Sequence, residues 1–276
     1  MQKIYNLLDR NNSLVMGIIN VTPDSFFDGG LYASTESAIR HAIQLIKEGA
    51  DILDIGGEST RPGSVAISTE EELCRVLPVV RGLVRMGIPI SVDTSKPEVM
   101  HSVIEAGAVM INDINALQEP GALEVISVSG AVVCLMHKQG DPHNMQINPR
   151  YNNVITEVTS FLRRRLEVAR IAGIRHEQLV IDPGFGFGKR LEHNLELLRC
   201  LDSFLSMGVP MLVGLSHKSM LQEITENKID NRIHASVAAA LLAAMKGAKI
   251  LRVHDVKATK DALAVYNSIN TSSKKR

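Results

Sequence analysis

Residues 51–94, DILDIGGESTRPGSVAISTEEELCRVLPVVRGLVRMGIPISVDT, contain one complete repeat of the architecture. The segment opens on a short apolar run, Asp51–Gly56, and closes on another, Ile88–Asp93. Between them, Ser68 and Glu71 form a capping-box signature ahead of Leu73, Val76, Leu77, Val80, Leu83 and Val84, which recur at helical spacing until Gly87. Neither apolar run alternates with polar residues. Continuous runs suit strands covered on both faces, as in a parallel sheet. The segment is therefore a strand, a long loop, a helix and a second strand.

The same alternation extends in both directions. Strands are expected at Leu14–Asn20, Asp51–Gly56, Ile88–Asp93, Val109–Ile114, Ala131–Met136, Gln178–Asp182, Met211–Leu215 and Lys249–Val253. Ala38, Ile39, Ala42, Ile43 and Ile46 mark one helix face. Ser95, Pro97 and Glu98 open another helix, Asn152 to Gly173 forms a long one, and the last lies near Lys257 to Ile269. Eight such units in 276 residues, with no Pro- or Ser-rich linker, predict an α/β fold: a single (β/α)8 TIM barrel over residues 1–276. Residues 1–12 read as a polar N-terminal extension and 271–276 as a polar tail. The rival, an open doubly wound sheet, uses fewer strands at this length and a glycine-rich first turn.

Composition narrows the function. Thirty Lys plus Arg balance thirty Asp plus Glu, so no net charge draws the chain to nucleic acid or an anionic membrane. The longest nearly apolar run, Ala235–Met245, is too short to span a bilayer. Three scattered cysteines and a polar start argue against a disulfide framework and a secretory leader, and predict a cytoplasmic protein.

In a barrel every strand's C-terminal end opens on one face, where active sites sit. Here each end is polar: Asn20; Glu58 and Arg61; Asp93; Asn112 and Asp113; His137; Asp182; Ser216, His217 and Lys218; Arg252, His254 and Asp255. The segments Val21–Ser34, Gly57–Ser68 and His137–Tyr151 are long loops on that face. One such residue would be explained as a helix cap; a polar group at every strand end predicts a ligand site. Asn112, Asp182 and Lys218 suit a planar heterocycle with a cyclic guanidine edge. Arg61, Arg252 and His254 suit an anion such as a phosphate. Asn20 offers an amide oxygen to Mg²⁺, which would bring phosphates and waters as its other ligands.

Other motifs lead away from common chemistries. Gly184–Lys189 looks like a phosphate loop, but Pro183 stands where the first Walker glycine belongs and no Ser or Thr follows Lys189. It reads as a flexible loop with Phe187 available to cover a ligand. No H-E-x-x-H, paired Cys/His spacing or G-x-S-x-G elbow is present.

Asn20-Val21-Thr22-Pro23-Asp24-Ser25-Phe26 with Asp28-Gly29-Gly30, then Gly56-Gly57-Glu58-Ser59-Thr60-Arg61-Pro62-Gly63, resemble the two signatures of bacterial dihydropteroate synthase. The likeness continues through Ser91–Thr94, Asn112-Asp113, Asp182–Lys189 and Arg252–Asp255, covering nearly the whole chain. The resemblance implies a transferase of folate biosynthesis. It would condense p-aminobenzoate with 6-hydroxymethyl-7,8-dihydropterin pyrophosphate, giving 7,8-dihydropteroate and pyrophosphate. It further implies Asp93, Asn112, Asp182 and Lys218 around the pterin, and Asn20, Arg61, Arg252 and His254 around the pyrophosphate. Thr60, Arg61, Pro62, Phe187, Lys218 and Ser219 would border p-aminobenzoate. Asp93, Lys218, Arg252 and His254 would be catalytic, with Asn20 contacting Mg²⁺. A homodimer through late helices, inhibition by sulfonamides in competition with p-aminobenzoate, and no nucleic-acid or membrane partner are also implied.

The family has Ser-Arg-Lys where this chain has Ser216-His217-Lys218. An imidazole titrates near neutrality where a guanidinium does not. Two outcomes are open: a pH-dependent anion contact, or a tolerated surface substitution. A barrel of the methyltetrahydrofolate–corrinoid methyltransferase kind is the nearest alternative, but it handles no leaving pyrophosphate. A pterin-binding protein without activity is the other, with His217 its only hint.

Overall fold

In the computed structural model the described residues are 1–21, 30–59, 63–141, 143–226 and 232–272. The chain runs α1 (Gln2–Leu8), β1 (Leu14–Asn20), α2 (Gly30–Lys47), β2 (Ile52–Gly56), α3 (Thr69–Leu83), β3 (Ile90–Asp93) and α4 (Pro97–Glu105). It continues through β4 (Met110–Asp113), α5 (Ala122–Ser129), β5 (Val132–Met136), α6 (Val154–Ile171), β6 (Leu179–Asp182) and α7 (Leu191–Arg199). The last elements are β7 (Leu212–Val213), α8 (Ser219–Thr225), α9 (Ile233–Met245), β8 (Ile250–Val253) and α10 (Val256–Ser272). All strands are parallel, in the order β6-β5-β4-β3-β2-β1-β8-β7. A parallel bridge between Ile181 and Met211 joins the two ends, so the sheet closes into a (β/α)8 barrel.

The continuous apolar strands have two different buried faces. Successive side chains of a strand point to opposite sides. Leu53, Ile55, Val92, Ile111, Val133, Leu135, Ile181 and Leu251 belong to the cluster shared with the helices. Met16, Ile52, Met110, Val132, Cys134, Val180, Leu212 and Ile250 belong to a second cluster, inside the barrel. Two residues beyond Ile52, Met110, Val180 and Ile250, on that same inner face, come Asp54, Asn112, Asp182 and Arg252. The lower barrel is thus an apolar plug and its C-terminal mouth a polar ring.

Residues 2–8 are more than a polar extension. They form α1, whose Ile4 and Leu7 are buried against the inner cluster and close the barrel bottom. Tyr5 fastens the helix by donating its hydroxyl hydrogen to the Gly130 carbonyl at 2.6 Å. Two apolar residues three apart, among polar neighbours, are too short a pattern to announce a helix.

Two helix starts carry side-chain caps, one at Ser68 as expected and one at Asn153, a residue past the expected start. Ser68 Oγ accepts the Glu71 N–H at 3.1 Å, and Asn153 Oδ1 accepts the Thr156 N–H at 2.8 Å. Such caps contribute about 1 kcal/mol each. Helix α2 begins at Gly30, inside the stretch expected as loop. Several strands start one or two residues later than expected, and Gln178 belongs to a 3₁₀ turn, its amide donating to the Ala131 carbonyl at 2.9 Å. Among the described residues no helix is long and apolar enough to cross a membrane.

Candidate active site

Asp54, Asp93, Asn112 and Arg252 of the polar ring form one hydrogen-bonded assembly. Arg252 donates from Nε to Asp54 Oδ2 at 2.6 Å and from Nη2 to Asp93 Oδ2 at 2.8 Å. The same Asp54 oxygen accepts the Asn112 amide N–H at 3.1 Å. Asp93 and Asn112 are adjacent by register. Asp93, Asn112 and Asp182 are 9%, 4% and 6% exposed, deep enough for charge to be costly. Burial pushes the Asp93 carboxyl up to about 7, the Arg252 guanidinium opposing and Asp54, Glu72 and Asp113 reinforcing it. Burial likewise raises Asp182, against a hydrogen bond from the Gly184 N–H at 2.7 Å and the charges of Lys218, Lys189 and Arg252.

Lys218 completes the set. Its Nζ donates to the Phe185 carbonyl and lies 4.3 Å from the centre of the Phe187 ring. Burial lowers its ammonium to about 8, partly offset by Asp182 and Asp93. One carboxyl, Asp93, and one ammonium, Lys218, change charge close to neutrality here, a common property of catalytic sites. Asn20 ends β1 on the same rim: a Cβ on Gly56 would lie between Asn20 Oδ1 and the Asp93 Cβ, 3.8 and 3.7 Å away.

The Gly184–Lys189 loop is bolted down, correcting the expectation of flexibility. Lys189 is buried, and its Nζ reaches the Gly184 and Phe187 carbonyls at 2.8 and 3.1 Å and His137 Nδ1 at 2.9 Å. Asn194 Oδ1 accepts the Gly186 N–H, and Tyr151 donates to the Gly188 carbonyl. Gly184 adopts φ +72°, and a Cβ there would run into the His137 carbonyl oxygen. Burial pushes Lys189 far below its usual value. Burial and the Lys189 charge lower the His137 imidazole to about 2. His137 is thus a neutral buried support for the loop, not a group facing the mouth.

His217 is not a loosely held surface residue. Its Nε2 lies 2.7 Å from Asp255 Oδ2, its ring lies 4.7 Å from the His254 ring at a tilt of 40°, and its backbone sits at φ +58°. His254 is held in turn by Ser216, whose Oγ accepts the His254 backbone N–H at 3.2 Å and lies 3.0 Å from Nδ1. Ser219 is exposed at the start of α8. Asp113 turns away from the mouth and ties the following turn, accepting from Ser95, Asn115 and Leu117. Thr60, Arg61 and Pro62, and most of the first signature, lie outside the described residues.

Two groups escaped sequence reasoning. Asp54 sits inside an apolar strand and not at its end; its signal is parity, two residues past Ile52 and two before Gly56. Lys96 bridges Glu72, at 2.6 Å, and Glu58, tying the start of α4 to the base of the second long loop.

Comparison with known proteins assigns the architecture. Residues 16–254 match the family described as pterin binding enzyme. The chain belongs to the pterin binding enzyme family, among its dihydropteroate synthases. It is 50% identical over 262 residues to the dihydropteroate synthase of Escherichia coli K12, covering 95% of this chain and 93% of that one. The dihydropteroate synthase of Xanthomonas albilineans with 4-aminobenzoic acid superposes with a TM-score of 0.90 at 50% identity, covering 95% and 94% of the two chains. Its complex with 7,8-dihydropteroate gives 0.85 at 45% identity over the same shares.

Proposed function

We infer that this mouth joins p-aminobenzoate to 6-hydroxymethyl-7,8-dihydropterin pyrophosphate, releasing 7,8-dihydropteroate and pyrophosphate, as a transferase of folate biosynthesis. The observation that carries the reading is the assembly of Asp93, Asn112, Asp182, Lys218 and Arg252 at the open end of a barrel half identical to dihydropteroate synthases along nearly its whole length. Asp182 and Asn112 offer acceptors and an amide to the pterin's guanidine edge. Lys218 donates to its carbonyl side and, with Phe187, borders the aniline. Arg252 and His254, with Arg61, hold the pyrophosphate. Thr60, Pro62 and Ser219 complete the p-aminobenzoate pocket.

Pyrophosphate leaves the pterin methylene first, and the electron pair of the C–O bond goes with it. The cation that remains is spread over the ring, and ionised Asp93 balances it. The p-aminobenzoate amine then adds to the methylene and gives up a proton. No nucleophilic side chain is required.

The donor set suits Mg²⁺ that arrives with the substrate. Asn20 supplies one neutral oxygen on the rim, and among the described residues no three His, Cys, Asp or Glu side chains gather to hold an ion alone. When bound, Mg²⁺ supplies charge neutralisation to the departing pyrophosphate.

A homodimer is supported by Ile233, Leu242 and Met245 on α9 and Val265 and Ile269 on α10, all exposed. A cytoplasmic location fits three free cysteines.

Pyrophosphate release, followed with each substrate omitted in turn, tests the reading. Release is expected only with the pterin pyrophosphate present, and dihydropteroate only with both; turnover of a methylated folate instead would overturn it. Calorimetry should find Mg²⁺ binding with pyrophosphate and none without it.

A further inference from the structure

Asp54 is absent from the substrate contacts proposed above, yet it is fully enclosed at the centre of the ring. It stands on β2. Its two donors come from two strands away on either side: Arg252 from β8, across β1, and Asn112 from β4, across β3. One carboxylate oxygen therefore links three strands, β4, β2 and β8, across a run of five neighbours. Its other oxygen has no hydrogen-bond partner among the described residues.

A carboxylate can only accept hydrogen bonds. Facing one, Asn112 must present its amide nitrogen. The two ends of an amide are nearly identical in shape, so packing alone would not choose between them. The choice matters, because it turns Asn112 Oδ1 away from Asp54 and leaves that oxygen without a partner among the described residues. Arg252 is constrained in the same manner: with Nε on Asp54 and Nη2 on Asp93, the plane of its guanidinium is set by two carboxylates. Stability does not account for Asp54. Replacing a buried ion pair by apolar groups is commonly neutral or favourable, and the wall directly below is apolar.

We propose that Asp54 is a positioning residue for the transfer: through one oxygen it fixes the edge of Asn112 and the plane of Arg252 that the pterin substrate meets. This rests on the reading that Asn112 and Arg252 hold that substrate. Misplacement of substrate-holding groups by about 1 Å can cost on the order of a hundredfold in rate.

Asp54→Ala and Asp54→Asn are compared with Asn112→Ala in steady-state kinetics on both substrates. Asp54→Ala is expected to lower kcat/KM for the pterin pyrophosphate by about thirtyfold or more while changing KM for p-aminobenzoate less than about threefold. Asp54→Asn, which keeps one acceptor oxygen, should recover most of that loss. Loss in Asn112→Ala with near-normal Asp54→Ala would overturn the positioning role alone. Near-normal kinetics in both would overturn the site reading beneath it. Equal losses toward both substrates, or no recovery in Asp54→Asn, would mark Asp54 as merely structural and overturn the proposal. A folding failure is covered by the wild-type enzyme. There the Asn112 side-chain amide protons should exchange slowly in NMR with and without a bound pterin; rapid exchange in both states overturns the proposal.

Discussion

Lowering the pH from about 7.5 to about 5.5 should destabilise the protein through His137 in particular. The folded state holds this imidazole neutral down to about 2, because it is buried beside Lys189. The unfolded chain takes up a proton near the ordinary value of 6.5. Between those limits the unfolded state binds one proton more, so stability is lost as pH falls. At about 1.4 kcal/mol per unit for a fully titrating group, an interval centred on 6.5 removes about 1.4 kcal/mol. For a chain of this size that is a fall in Tm of about 3–5 °C. Asp93 acts in the opposite sense: its folded value is raised, so it gains protons on folding and favours the folded state as pH falls below about 7. The comparison that isolates His137 is therefore wild type against His137→Asn, each melted at both pH values in one buffer series. Whatever the absolute Tm of the variant, it should lack this extra loss. Equal shifts in the two proteins would refute the reasoning and place the proton elsewhere.

Activity should follow a bell in pH. Asp93 must be ionised, so kcat/KM for the pterin substrate should fall below about 7, and the loss of the Lys218 ammonium should lower it above about 8; Lys218→Ala should lose more than about tenfold with its melting curve unchanged. Lys189→Met leaves the Gly184 and Phe187 carbonyls without their donor and should cost about 2–4 kcal/mol by denaturant unfolding, with KM for p-aminobenzoate rising as Phe187 loosens. His217→Arg keeps a donor against Asp255 and should retain activity in steady-state kinetics, whereas His217→Ala should weaken pyrophosphate binding, read by calorimetry, by freeing the His254 ring. Ile4→Ala should cost about 2–4 kcal/mol in stability and leave kcat/KM unchanged, since α1 closes the end of the barrel opposite the site.

The sequence by itself determined what depends on neighbours along the chain. Strand positions followed from runs such as Asp51–Gly56, a helix start from Ser68, and the barrel from eight repeats of one local pattern. The rim residues Asp93, Asn112, Asp182, Lys218 and Arg252 were legible because strand ends are marked locally and all open on one face. Only the tertiary structure decided what each rim residue does there. Asp54 and Arg252 are 198 positions apart, and no local signal says that one oxygen will hold both Arg252 and Asn112. The same holds for His137 and Lys189, a strand-end histidine and an apparent phosphate-loop lysine that bury each other 52 positions apart. It holds for Ile4 and Leu7, whose plug exists only once eight strands have closed above them. Local periodicity sets which way a side chain points, but its partner and its charge state depend on which distant strand barrel closure brings beside it.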